Sequence, residues 1–332
     1  MKHIVKLFAL ACLSAATAGA GLLQKSEVDA DAKWLLHLDL DQFRSTKVSG
    51  YLISQIVEKQ ISKPLNDLKQ QFKFEVDPNK ILEKIGSITA YGTAYQSPKE
   101  NAVLMIKTDP DLQAAFVGVL AGMALAGTNS QMEMKQTQMG NVTLYSMKDK
   151  IHCAVLPGKL VALSLSRRAI EKAAEVLDKK AASLASSRTF SDFAEVKRSF
   201  FFLGVAEGFS ANTELPPQAK LLQLADGGRI VLGENADQLF LDLALKAKTA
   251  EVVTQMQQVI QGLIAMASLG QSENKDLTQL VQSTKVSATD RVVSVSVEYP
   301  VDKAIQRIDE QKDKVGRRAG GEPRAADEGK AN

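Results

Sequence analysis

His37, Asp39 and Asp41 occupy alternate positions in the stretch KWLLHLDLDQF at 33–43, with Leu36, Leu38 and Leu40 between them. Side chains at every second residue of a strand share one face. An imidazole and two carboxylates on one face are donor types that hold a divalent ion or move a proton. A flat strand spaces such side chains about 7 Å apart per step, too far for one ion to take all three at about 2 Å. His37, Asp39 and Asp41 are therefore candidates for a ligand-binding site, set beside a plainer reading as the wet face of a half-buried strand. Asp41 also suits the cap of a helix that begins where the strand ends.

Other chemistry is thinly represented. His3, His37 and His152 are the three histidines. The motifs G-x-S-x-G, H-E-x-x-H, G-x-x-x-x-G-K-[ST] and C-x-x-C do not occur. Ser272 and Lys275 have the spacing of a Ser-Lys pair, but LGQSENKD around them reads as a loop between helices. Met132, Met134 and Met139 precede His152 and Cys153. Thioether, imidazole and thiolate are soft ligands suited to copper(I), whereas alternating Met on a strand more simply fills a core. No catalytic residue, metal or cofactor is assigned on these grounds.

The start of the chain reads as a targeting segment. Lys2 and Lys6 flank a short apolar run, LFALACLSAATAG, and Ala18-Gly19-Ala20 has the small residues a signal peptidase needs. Cleavage there starts the mature chain near Gly21. Cys12 follows Leu10-Ala11 and raises a lipoprotein alternative, with Ala9 where a large aliphatic residue is usual. Lys and Arg total 41 against 38 Asp and Glu, a formal +3, which falls to +1 without Lys2 and Lys6. No basic block marks a nucleic-acid partner. Cys153 is the one thiol left after cleavage, so no intrachain disulfide supports the fold. Its neighbours Ile151, Ala154 and Val155 suit a buried apolar residue.

The elements that must position these residues recur in pairs. KWLLHLDLDQF at 33–43 parallels SFFFLGVAEGF at 199–209, each ending in an acid and a Phe two positions later. IGSITAYG at 85–92 parallels GGRIVLG at 227–233, and AVLMIKT at 102–108 parallels LFLDLAL at 239–245. The helical stretch 111–127 parallels 250–268, and 160–177 parallels 292–308. A further helical pattern follows the first strand over 51–68, with a shorter one over 215–224 in the second copy. Val293, Val295 and Val297 alternate with Ser294 and Ser296, as in an antiparallel sheet with one polar face. Pro157 and Gly158 mark a hairpin turn. The fold expected is α+β: two tandem similar lobes, each an antiparallel sheet with helices packed on one face. The divisions expected are a signal peptide at 1–20, repeats at 21–185 and 186–314, and a disordered tail at 315–332 that lacks large apolar residues.

In the helix DLQAAFVGVLAGMALAG the apolar stretch Ala114–Gly127 is fourteen residues, too few to span a bilayer. Its Gly118 and Gly122 suit close packing against a sheet, and a curved sheet around such helices can leave an apolar cavity. The opening A-x-x-W-L-L-H-L-D-L, the exported start and the duplication resemble those of uncharacterised exported proteins of planctomycete and verrucomicrobial type. That resemblance implies an exported protein and carries over no catalytic motif. The expectation is a periplasmic or extracellular, non-enzymatic protein that binds a partner or belongs to the envelope, not transmembrane once the signal is removed. The alternatives are an apolar-ligand or lipid-binding protein, and an enzyme of unfamiliar type using carboxylates near His37.

Overall fold

The structure is a computed structural model that describes residues 21–56, 78–126, 134–147, 150–193, 195–208, 224–269 and 275–319. The chain runs β1 (Trp34–Asp39), α1 (Leu40–Arg44), α2 (Lys47–Ile56), α3 (Pro78–Glu83), β2 (Ile85–Gly92), α4 (Pro98–Asn101), β3 (Ala102–Thr108) and α5 (Pro110–Ala126). There follow β4 (Met134–Met139), β5 (Val142–Met147), β6 (Ile151–Leu156), β7 (Leu160–Ser164) and α6 (Arg167–Leu177). The remainder is β8 (Phe202–Glu207), β9 (Ala225–Asn235), β10 (Gln238–Ala247), α7 (Ala250–Leu269), α8 (Lys275–Ser283), β11 (Lys285–Thr289), β12 (Val292–Pro300) and α9 (Val301–Ala319).

The mixed α+β composition follows the sequence expectation, but the strands do not form two sheets. They make one antiparallel sheet of twelve in the order β11-β12-β10-β9-β8-β1-β2-β3-β7-β6-β5-β4. The reason is the pairing of β1 with β8, Trp34 opposite Ala206 and Leu38 opposite Phe202. Each of those strands would otherwise be an edge with unpaired backbone groups, and joining them removes both edges.

Helices do not keep to one face either. Along β7, Leu160 and Ala162 point into a core with Ile170, Ala173, Ala174 and Leu177 of α6. Val161 and Leu163 point the other way, to Phe116, Val117 and Leu120 of α5. The same division runs along β5, where Leu144 faces α6 and Tyr145 faces α5. At the far end α7 packs Val253, Met256 and Ile260 on Leu245 and Val293. Strand register places Leu245 and Val293 on the α5 face of the sheet. Thus α5 and α7 share one face and α6 takes the opposite one.

The face under α6 is otherwise covered by irregular chain. Residues 21–32 lie there beside the segment that follows α6, joined by Leu184 N–H to the Val28 carbonyl at 2.8 Å and by a bridge between Asp29 and Ser183. Val28, Ala32 and Leu184 enter the core with Leu35, Tyr91 and Val103.

Local signals explain several joints. The β6–β7 turn uses Gly158 at φ +67°, a left-handed conformation suited to glycine. Gln113 of α5 clamps that turn, its side-chain amide donating to the Leu156 and Leu160 carbonyls at 2.9 and 3.1 Å. Asp109 caps α5 by accepting from Leu112 N–H at 2.7 Å. A Cβ at Gly118 would meet nothing within 4 Å, so that glycine does not serve close approach. Helix α9 runs on to Ala319, past Gly316, where the sequence reading placed a disordered tail. The expected helical stretch over 51–68 is present as far as Ile56 in α2, and its remainder and residues 215–223 of the second stretch lie outside the described residues.

The burial of β1 makes a direct prediction. Leu35 is fully buried while Leu36 is 46% exposed. Leu35→Ala should cost about 2–5 kcal/mol, the range for an aliphatic side chain lost from a core. Leu36→Ala should change stability by less than about 0.5 kcal/mol. Urea unfolding of the two variants checks the order.

Candidate functional site

The strand with the candidate donors is inside out relative to the expectation of a wet polar face. His37 is 1% exposed and Asp39 5%, whereas Leu36 on the other face is largely in the open. Strand β2 extends the polar stripe. Thr89 stands opposite His37 and Ser87 opposite Asp39, and both are buried. The cover that makes this possible is the chain around Gly21 and Leu22. A Cβ at Gly21 would overlap the Asp39 carboxylate, so the backbone there lies hard against it. Lys107 of β3 reaches the same segment, with Nζ 2.9 Å from Glu27 and 3.4 Å from the Leu22 carbonyl.

His37 is held by two hydrogen bonds. Nδ1 lies 2.8 Å from the Thr89 hydroxyl, and the ring also hydrogen-bonds the backbone of Gly21. A carbonyl can only accept, so the ring nitrogen facing Gly21 carries the proton and Nδ1 accepts from Thr89. Burial lowers the pKa to about 4, with the Gly21 bond opposing and the Lys107 charge assisting. The ring is therefore neutral at pH 7. Asp39 is raised above the ordinary carboxylate value, chiefly by burial, with the Gln42 N–H opposing.

Asp39, not Asp41, caps α1. Its Oδ1 accepts from Gln42 N–H at 2.8 Å. The strand ends at Asp39, two residues earlier than the cap at Asp41 requires. Asp41 sits in the first turn of α1, half exposed, and pairs with Arg44. The three candidates thus divide: His37 and Asp39 belong to one buried stripe, and Asp41 points away to its own partner. Among the described residues no cluster of three or more His, Cys, Asp or Glu is arranged to hold a metal ion.

The second histidine is not brought to the first. His152 is on β6, four strand spacings or about 19 Å from β1. It is buried, with Nδ1 2.9 Å from the Ser146 hydroxyl. Met134 and Met139 end on opposite faces of β4, packing against the α5 and α6 cores respectively. Cys153 shares the α5 side with Met134, and burial pushes its thiol up to about 12. The set Met134, Met139, His152 and Cys153 is therefore split between two faces. Met132 and Ser272 lie outside the described residues.

Sequence reasoning allowed for an apolar cavity beside the helix at 111–127 but did not place it or name its lining, which is a trough on the opposite face of the sheet. Between α5 and the middle of the sheet lies a cavity of about 460 Å³, lined by Ala90, Ala102, Leu104, Ile151, Leu163 and Leu165, with Lys99 its one charged wall residue. Leu104, Ile151 and Leu165 are exposed there. Ile151 and Leu163 are shared with a second cavity of about 230 Å³ under α5, walled also by Phe116, Leu120, Met134 and Met147. Leu36 continues the apolar surface across the sheet through Ala90, its neighbour in register. Of the leucines of β1 only Leu36 is exposed, while Leu35 and Leu38 pack in cores, so leucine content alone does not mark the trough.

No protein-family model matches the chain, and no curated protein matches it. Among solved structures it is similar to crystal form III of TP0453, at 12% identity over 87% of this chain and 98% of that one, with a TM-score of 0.48. Crystal form I of the same protein gives 14% identity over 86% and 96%, with a TM-score of 0.45. A likeness of this degree assigns the chain neither a family nor a function.

The His37 environment sets a pH dependence. An unfolded histidine titrates near 6.5 and the folded one at about 4. The unfolded chain therefore binds more protons between those values, and stability falls as pH falls from 6.5 towards 4. The loss reaches about 3 kcal/mol at most. His37→Gln should flatten this part of a stability–pH curve measured by urea unfolding; a curve unchanged in shape would contradict the assignment.

Proposed function

We propose that this is an exported, non-enzymatic protein that binds the acyl chain of an anionic lipid in the trough beside α5. The observation that carries the reading is the reversal on β1 and its neighbours: polar side chains are buried while Leu36 and Leu104, 46% and 37% exposed, face outward. A contiguous apolar surface rimmed by polar groups is the mark of a binding site rather than of ordinary surface. Burial of an acyl chain contributes roughly 0.8 kcal/mol per methylene, and the wall shared with the space under α5 extends the track. Lys99 at the edge supplies a cation for a carboxylate or phosphate headgroup.

Export is supported by Lys2, Lys6, the apolar run and Ala18-Gly19-Ala20. No helix among the described residues is long and apolar enough to cross a membrane. The enzyme reading through Asp39 and Asp41 is the poorer one, because Asp39 is closed off under Gly21 and Asp41 is occupied by Arg44.

The reading of two tandem copies, 21–185 and 186–314, is supported by the strand order about the β1–β8 seam. Outward on one side stand β1, β2, β3 and β7, and on the other β8, β9, β10 and β12. In order from the seam the two series match the sequence parallels, β1 with β8, β2 with β9, β3 with β10 and β7 with β12, and the helices α5 with α7 and α6 with α9 match in sequence order. In this reading the copies share a pattern of strands and differ in how each side is roofed.

Solvent extraction of the purified exported protein, followed by mass spectrometry, should release fatty acid or phospholipid. Leu104→Glu should weaken binding of a fluorescent fatty acid about tenfold or more, since 1.4 kcal/mol is a factor of ten. Lys99→Gln should weaken it less, and should not affect an uncharged analogue. Absence of both extracted lipid and saturable fatty-acid binding would refute the proposal.

A further inference from the structure

The residue at which the sequence places signal cleavage is Gly21, and Gly21 is buried against Asp39. That carboxylate is 5% exposed and ion-pairs with no cationic side chain among the described residues. It caps α1 through Gln42 N–H, and the Asp41 N–H also favours its charged form. Its neighbour across the strands, Ser87, is 1% exposed, and the Ser87 hydroxyl has no hydrogen-bond partner among the described residues. A buried acid without a cationic partner and a buried hydroxyl without any partner thus stand side by side, next to the residue where the mature chain is expected to begin. Such groups are costly unless paired.

We infer that the α-ammonium released on Gly21 by signal cleavage docks on Asp39 and Ser87, and so fastens the N-terminal segment over the polar stripe of β1. The inference rests on the export reading above. Hydrolysis adds one water across the Ala20–Gly21 bond. Ala20 takes the hydroxyl as a new carboxyl group, and Gly21 keeps the nitrogen as an amine that protonates at neutral pH. The product has three N–H donors and a positive charge one bond from the α-carbon that already lies on the Asp39 carboxylate. The uncleaved chain has at that nitrogen a single neutral N–H.

The fit depends on residue 21 being small. Any side chain would occupy the space of the Asp39 carboxylate. Processing then acts on the fold as well as on the address. Residues 21–32 roof the core that holds Val28, Ala32 and Leu35, and the new ion pair anchors the free end of that roof. Other charges facing the pair are His37 on β1, Asp41 and Arg44 on α1, and Lys107 on β3 with its partner Glu27. Asp41 and Lys107 are already engaged by Arg44 and Glu27, and His37, lowered to about 4 by burial, is neutral at pH 7.

The test uses the protein exported and processed by a bacterial host. N-terminal sequencing should begin at Gly21; another start would overturn both the cleavage position and this inference. On the chain beginning at Gly21, NMR titration of the α-amine should give a pKa of about 9 or above, against about 7.7–8.0 for a free amine. The stability it adds is complete below pH 8 and is lost as pH rises through the higher folded value. Asp39→Asn keeps a good helix cap and removes the charge. It should lower Tm by about 2–4 °C in the mature chain and by clearly less in a chain that retains Ala20. An α-amine titrating at its ordinary value, or an equal Tm loss in the two chains, would overturn the inference while leaving the export and lipid readings intact. Loss of folding in Asp39→Asn would not rescue it, because the α-amine titration is made on the wild-type protein.

Discussion

The structure depends on a polar stripe that has to stay dry. His37, Thr89, Asp39 and Ser87 lie together on β1 and β2, at the middle of a twelve-stranded sheet. Strand β1 is paired on both sides, so its backbone is satisfied whichever way its side chains point. The choice of face is made by what covers it. Residues 21–32 and the chain after α6 close over the polar side, where Thr89 and the Gly21 carbonyl satisfy the imidazole. Without that cover, one buried carboxylate and one buried imidazole would favour water, and the leucine face would become the better interior.

The apolar trough is the complement of this arrangement. A strand has two faces, and burying the one that holds Leu35, His37 and Asp39 commits Leu36 to the other. Helices α5 and α7 roof the two ends of that other face, and α1, α2 and α9 cover its middle strands at Leu38, Ile88 and Leu239, which leaves open the stretch around Leu36 and Leu104. Leu36, Leu104, Ile151 and Leu165 are exposed for this reason. The energetic position is a core with part of its lid missing, which a chain of methylenes from outside can complete.

Much of the architecture was legible in the sequence. Alternation located β12, the Pro157-Gly158 pair located the β6–β7 hairpin, and unbroken apolar periodicity located α5 and α7. What could not be read was which side of an alternating strand goes inward. Period two gives two faces and no sign; the sign comes from the irregular segments 21–32 and 178–200, which have no periodicity to read. The single sheet was hidden for a similar reason, since strand pairing across the β1–β8 seam depends on partners far apart in sequence, from Trp34 with Ala206 to Leu38 with Phe202. The cap was misplaced from Asp39 to Asp41 because both are good capping residues and helix starts are uncertain by a residue or two. The alternation of His37 and Asp39 did mark the right strand, for a structural role instead of a catalytic one.

Trp34 allows the central claim to be tested directly. It is the one tryptophan of the chain, on the same face of β1 as Leu36, with Gly92 and Ala102 in line between it and the trough. Two strand spacings, about 10 Å, separate β1 from β3. Titration with a fatty acid brominated along its chain should quench Trp34 fluorescence saturably, and Leu104→Glu should abolish the saturable part. A protein that binds the fatty acid without quenching Trp34, or does not bind it at all, would contradict the account of an outward apolar face built for an acyl chain.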